Sequence, residues 1–339
     1  MKRITRTLTV ALLATTLGLA SACTSSESET GADGKDLRKV TYLTSFGNFG
    51  RDAYAWVAKE KGYFADAGLD VEIKQGQGTG GVIQTVVGGQ ADFGPIDLTG
   101  GLLQMGNGQA KDFTVVAAIQ QRTMAAIFTT EDTGITQPKD LEGKKLADTP
   151  GSVVRNLFPT YAKMAGIDAN KVTWVNGEAQ TLMGTLQSGS VDGIGQFVVG
   201  KPTVEAVTKK TAVMFPYGDV MTDLYGNVLI TSTKIAQEDP EMVKAFSGAL
   251  LKGLEYSLQN PGEAAEILAK NGEAVNVASA TAELELMASY VRASNAGVAL
   301  GSLDEQRVAR GIALLQGAGS IPDGMTPGQI ISFDLTPKS

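Results

Sequence analysis

The segment Thr85-Val-Val-Gly-Gly-Gln-Ala-Asp92 returns as Thr185-Leu-Gln-Ser-Gly-Ser-Val-Asp192. Each copy ends an apolar helical stretch, stops it with glycine and opens a short apolar run with aspartate. Each follows a β-like run and a glycine-containing loop: Val71-Glu-Ile-Lys-Gln-Gly-Gln-Gly78 in one, Val172-Thr-Trp-Val-Asn-Gly177 in the other. A strand–loop–helix–strand unit that occurs twice predicts two α/β lobes built on similar plans. The competing account is chance, because α/β units share this punctuation.

The rest of the chain alternates in the same way. Short apolar runs predict strands over 40–43, 69–73, 91–94, 113–119, 125–128, 145–147, 172–175, 191–194 and 212–215. Between them, periodic stretches predict helices over 52–61, 80–87, 153–165 and 180–187, with Gly62 and Gly88-Gly89 as stops. The last third is mostly helical, over 240–258, 263–269, 281–293 and 304–316. A length of 339 residues with 43% hydrophobic residues is enough for two cores.

Composition removes several functions. The formal charge is −7 and no Lys/Arg run exists, which argues against nucleic acid as a partner. Histidine is absent, so His acid–base catalysis and His metal ligation are excluded. The single cysteine, Cys23, rules out an intrachain disulfide and a Cys-rich metal site. No Gly-x-Ser-x-Gly elbow occurs and no short motif pairs carboxylates. The expectation is a protein that is not an enzyme and carries no metal or cofactor.

The N-terminus has its own logic. Lys2, Arg3 and Arg6 precede an apolar stretch from Leu8 to Ala20, then small residues and Cys23. This reads as a signal peptide over 1–22, too short for a comfortable membrane span. A cysteine directly after the small residues resembles the bacterial lipobox, in which the thiol is lipidated and becomes the mature N-terminus. The aliphatic position three places before it is Ala20, with Leu19 one further back. Residues 23–37 then read as the lipidated cysteine and a flexible, Ser/Thr/Glu/Gly-rich tether.

Open α/β sheets bind ligands beyond the carboxyl ends of their strands. The candidate positions are therefore the loops after each strand. Gly76 to Gly81 opens a helix whose free N–H groups suit an anionic or polar group, although turn geometry explains such glycines equally well. Ser152 precedes the next helix and is also a natural N-cap. Arg155 lies in that helix's first turn, where the dipole disfavours a cation unless an anion or acidic partner is near. Phe46, Phe49, Phe197, Tyr217 and Tyr225 occupy loop positions where a flat ligand could stack, and Asp97, Glu178, Asp219 and Asp223 add acceptors.

Trp56-Val-Ala-Lys-Glu-Lys-Gly-Tyr-Phe-Ala-Asp-Ala-Gly-Leu-Asp-Val-Glu-Ile73 resembles the opening segment of the nitrate/sulfonate/taurine-type substrate-binding proteins, whose relatives bind pyrimidine precursors of thiamine. Gly88 to Gly94, Asp140-Leu-Glu-Gly-Lys-Lys-Leu146, and Asn227 to Thr231 with 240–254 are similar to the family's further blocks. The resemblance spans roughly 40–268 and implies a periplasmic-binding-protein fold of the second type: two open α/β lobes joined by two crossover strands. Lobe one would take 38–124 plus 229–339, and lobe two 125–228. The family's pocket positions map onto Ser45, Phe46, Asn48, Gln77, Thr79, Asp97, Gln121, Ser152, Asn176 and Phe197, and Arg155 joins them from the residue reading.

What the resemblance implies is a monomeric, lipid-anchored binding protein on the extracytoplasmic face of the cell membrane. It would deliver a small molecule to an ABC permease and its ATPase. Few cations and several aromatic, amide and acidic groups favour a heteroaromatic such as a thiamine-type pyrimidine. An alkanesulfonate, taurine, nitrate or an aromatic acid is the alternative, and a signalling receptor using the same closure stays open. A pyrimidine-synthase-like enzyme on the same fold fits less well, because those enzymes use a histidine of their own and a Cys-rich motif.

Overall fold

Two sheets of one plan organise the described residues, 37–178, 181–272, 275–292 and 298–338 of a computed structural model. The expected leader, Cys23 and almost all of the expected tether lie outside them. The first sheet contains β1 (Arg38–Leu43), β2 (Leu69–Lys74), β3 (Phe93–Asp97), β4 (Phe113–Ala118) and β10 (Asn227–Ser232), in the order β2-β1-β3-β10-β4. The second contains β5 (Ala125–Thr130), β6 (Lys145–Asp148), β7 (Thr173–Asn176), β8 (Gly193–Phe197) and β9 (Ala212–Pro216), in the order β7-β6-β8-β5-β9. In each, three parallel strands are followed by one antiparallel strand, β10 or β5, that enters after the chain has crossed from the other sheet.

The helices are α1 (Ala53–Glu60), α2 (Tyr63–Asp66), α3 (Gly78–Val87), α4 (Leu98–Gly106), α5 (Val153–Ala165), α6 (Leu182–Gln187), α7 (Lys201–Thr208), α8 (Thr233–Glu238), α9 (Pro240–Gln259), α10 (Pro261–Asn271), α11 (Val277–Val291) and α12 (Glu305–Gly317). The expected strands and most expected helices are present with shifted ends; positions 180 and 293 of two expected helices lie outside the described residues. Three differences matter. Strand β3 runs over 93–97 rather than 91–94, α4 starts directly from the end of β3, and α7 follows β8 after a single 3-10 turn, Val198–Gly200, where the sequence alone indicates only loops.

The repeated segment is the same device in both sheets. Asp92 donates its N–H to the Thr41 carbonyl (2.9 Å) and accepts Thr41 N–H on its carboxylate (2.7 Å). Asp192 does the same with Lys145, at 2.8 Å in both directions. Gly89 and Gly189 both turn through the left-handed region, with φ of 71° and 69°, where a Cβ would be strained. The aspartates thus set the start of β3 against β1 and of β8 against β6.

The chain passes between the sheets twice, over 119–124 and 217–226, and the two passages are bonded to each other. Ile119 and Gln120 N–H both donate to the Asn227 carbonyl (2.8 Å each), Gln120 Oε1 accepts Asn227 N–H (3.0 Å), and Thr123 N–H donates to Leu224 O (2.9 Å). A pair of short, cross-bonded segments is the geometry of a hinge.

The first lobe's core is built around Phe246 of α9, stacked on Phe93 (centroids 4.1 Å apart) and Phe64 (5.1 Å). Helix α9 reaches α1 because Gly253 has no side chain: a Cβ there would strike the Tyr54 carbonyl oxygen and sit 2.7 Å from the Ala58 Cβ. Gly253→Ala should therefore cost about 1–3 kcal/mol in chemical denaturation. Gly248→Ala, on the same helix with open space around it, should be neutral or stabilise by roughly 0.5–1 kcal/mol. Equal effects at both positions would contradict this packing.

Candidate functional site

The carboxyl ends of the strands from both sheets converge at two points. At the first, helix starts meet: a Cβ on Gly100, in the first turn of α4, would lie 2.8 Å from Val153 Cγ2 at the start of α5 and 3.0 Å from Thr79 Cγ2 of α3. Thr79 Oγ1 accepts the Asp97 N–H (3.3 Å), and Asp97, only 3% exposed, caps α4 through Gly100 N–H (3.1 Å). Burial pushes the Asp97 carboxyl up to about 6, against the pull of the Gly100 and Thr99 amides. On the second lobe, Ser152 caps α5 (Arg155 N–H to Ser152 Oγ, 3.1 Å) and donates its hydroxyl to Asp148, whose carboxyl burial also raises.

At the second point an aromatic slot forms. The loop after β1 carries Phe46 and Phe49, stacked at 6.4 Å and unusually exposed for phenylalanines (37% and 39%). The turn that follows, Gly50–Asp52, presents Arg51. Its guanidinium carbon lies 4.2 Å from the Phe49 ring centroid and 5.9 Å from that of Phe197, which ends β8 in the other sheet. Asp52 is fully buried and accepts both Ser45 N–H (2.8 Å) and Ser45 Oγ–H (2.7 Å). From α11, Glu283 accepts Arg51 N–H (3.3 Å). Burial raises both the Asp52 and Glu283 carboxyls, and Arg51 is the first opposing influence on each.

The expected site residues divide among several neighbourhoods. Thr79, Asp97 and Ser152 gather at the helix starts; Ser45, Phe46 and Phe197 gather around Arg51. Asn48 packs beside Gly272, and its buried Oδ1 has no partner among the described residues. Gln77 forms the N-terminal cap position of α3 and bridges to Phe46. Arg155 and Asn176 bond to each other (2.6 Å), with the guanidinium over Trp174 (5.5 Å), all within the second lobe. Gln121 is committed to structure: its Nε2 donates to Ser302 O (2.9 Å) and its Oε1 accepts from Arg307 (3.3 Å).

Two aromatic expectations fail. Tyr217 is completely buried, donating to the Val154 carbonyl (3.0 Å). Tyr225 is 2% exposed, accepts Asp304 N–H (3.0 Å) and lies under Arg307 (4.0 Å). Both belong to the packing of the hinge side. Of the acceptors, Asp219 is 3.9 Å from Arg122 and Asp223 is paired with Arg310 at 2.9 Å.

Arg51, Asp52 and Glu283 were missed. A cation in the turn that opens α1 carries the same dipole conflict that singled out Arg155, so Arg51 had a signal. Glu283 had another: it shares the α11 face of Ala280, Leu284 and Met287, all buried. A depression of about 360 Å³ also lies beside α3, lined by Gln75, Gln77, Gln84 and Gln90 among others. The lining residues of that depression come from one lobe, whereas the aromatic slot takes side chains from both.

Two five-stranded α/β lobes joined by a double hinge, with strand ends converging between them, define the periplasmic-binding-protein class of fold. The periplasmic aliphatic sulphonate binding protein SsuA of Escherichia coli has this fold: its structure superposes with a TM-score of 0.69 at 14% identity, over 87% of this chain and 92% of its own. The formylaminopyrimidine-binding protein of Halalkalibacterium halodurans is 25% identical over 271 residues, 79% of each chain. A putative aliphatic sulfonates-binding protein of Bacillus subtilis is 25% identical over 62% of this chain and 64% of its own. The family model described as NMT1/THI5 like matches residues 53–264, and the chain belongs to that family.

The Asp97 carboxyl gives a test of the site's electrostatics. Between about pH 4 and pH 6 an unfolded aspartate releases its proton while Asp97 in the folded state keeps it, so stability falls as pH rises through that window. Asp97→Asn preserves a cap acceptor and removes the burial of charge. It should be more stable than the parent at pH 7, by at most about 3 kcal/mol, and lose that advantage near pH 4. An equal or lower stability at pH 7 would show that the buried carboxylate is well satisfied.

Proposed function

We propose that this chain is the solute receptor of an ABC-type import system and closes its two lobes around a small, flat organic molecule. As a substrate-binding protein it performs no chemistry on the solute. Its relatives are binding proteins by name, for formylaminopyrimidine in one case and aliphatic sulfonates in another. The observation that carries the reading is the slot around Arg51, which takes one aromatic wall from each lobe. A ligand touching both walls binds the closed form better than the open one and shifts the population toward closure. Only the closed form would then present a matched surface to a permease and its ATPase.

The solute we favour is a heteroaromatic, such as a thiamine-precursor pyrimidine. Stacking between phenylalanines plus a few polar contacts can supply the about −8 kcal/mol of a micromolar complex. A sulfonate is the second reading, supported by the Arg51 cation; Asp52 and Glu283 oppose it. We further propose a lipoprotein held at the outer face of the membrane through Cys23, the 23–37 tether giving the receptor reach.

Two measurements test this. A thermal-shift panel of hydroxymethylpyrimidine, its formylamino relative, riboflavin, aromatic acids, alkanesulfonates, taurine and nitrate should yield one class that raises the melting temperature. At a hundredfold excess over Kd the gain is about 2.7 kcal/mol, several degrees. A rise confined to sulfonates or nitrate would overturn the heteroaromatic preference. For the anchor, Cys23→Ser should move the protein from the membrane to the soluble fraction of its cell. Unchanged fractionation would count against lipidation.

A further inference from the structure

Resting on the solute-capture reading, we infer that Arg51 is the specificity-determining residue of the slot, and that it admits uncharged flat solutes bearing carbonyl or ring-nitrogen acceptors while rejecting carboxylates and sulfonates. The first ground is an unmet need for acceptors. The Arg51 side chain is 12% exposed, yet its guanidinium makes no hydrogen bond among the described residues. Its nearest carboxylate oxygen, on Asp52, is 4.0 Å from Nε, beyond hydrogen-bond reach. A guanidinium carries five N–H donors in one plane, and donors taken from water without a partner are costly. The 3.3 Å bond to Glu283 involves the backbone N–H, not the side chain.

The second ground is shape. The guanidinium carbon lies 4.2 Å from the centroid of the Phe49 ring, and the Phe197 ring lies 5.9 Å away in the other lobe. A fork of coplanar donors held among rings matches coplanar acceptors. A flat molecule hydrogen-bonded to those donors can also stack on the same aromatic walls.

The third ground is charge. An isolated arginine would draw anions, but this one stands with two carboxyl groups, Asp52 at 4.0 Å and Glu283 against its backbone. Both carboxyls are held above their ordinary range by burial even with Arg51 beside them. Two buried acidic groups thus stand beside one cation and oppose its charge, so a further anion gains little from Arg51. A neutral acceptor uses the donors without adding charge.

Three probes on one ring separate the possibilities: nicotinamide, nicotinate and pyridine-3-sulfonate, with cytosine as a second neutral acceptor. They would be titrated calorimetrically into the purified protein and its Arg51→Lys and Arg51→Gln variants. Nicotinamide and cytosine should bind more tightly than both anions. Arg51→Lys, which keeps the charge beside Asp52 and Glu283 but loses the fork, should weaken the neutral probes roughly ten- to hundredfold with its ligand-free melting temperature retained. It should also narrow the gap between nicotinamide and nicotinate. Tighter binding of nicotinate or the sulfonate would overturn the inference and leave solute capture standing. So would neutral-probe affinity that survives Arg51→Lys, or a drop in melting temperature without loss of affinity, which marks a structural arginine. Binding of alkanesulfonate or nitrate alone would overturn the flat-solute requirement. No binding by any aromatic or aliphatic probe would count against solute capture itself.

Discussion

Each lobe depends on a strand that the chain delivers only after visiting the other. Strand β10 lies between β3 and β4, and β5 between β8 and β9; without them each sheet would divide into a parallel trio and a stray edge. That requirement brings 119–124 and 217–226 side by side, and the hydrogen bonds of Gln120 with Asn227 hold them there. The two sheets share this double crossover, and their strand ends open toward the same space.

The sequence made the alternation legible because most strands are short apolar runs bounded by glycine or aspartate. The repeat around Asp92 and Asp192 was legible for a sharper reason: the aspartates have one job, bonding both the N–H and the C=O of a neighbouring strand's residue, and the glycines have another. What escaped notice was the helix α4, which leaves β3 without a loop. Leu98-Thr-Gly-Gly-Leu-Leu is apolar on every side and rich in glycine, so it shows no helical face before the packing supplies one. The end of β3 was hidden by Pro95, a residue that argues against a strand interior. It is tolerated because β1 pairs with β3 only at Tyr42 and Phe93, leaving no ladder partner on that side at residue 95.

The sequence offers positions for a site rather than its chemistry. A place in a loop after a strand does not distinguish Phe197, whose ring lies near Arg51, from Tyr217, which disappears into the core and bonds Val154. Arg51 and Glu283 are 232 residues apart in sequence, and no local pattern announces their meeting. Their pairing also places α11 against the turn that carries Arg51.

Helix α12 adds a second clasp to the joint. Arg307 reaches the first passage through the Gln121 carbonyl and side chain, and the second through the carbonyls of Thr222 and Asp223. One late residue thus fastens both sides of the joint. Both passages and the ten named strands precede Arg307 in the chain, so a joint first closed by its own strands is clasped again from a helix that belongs to neither sheet.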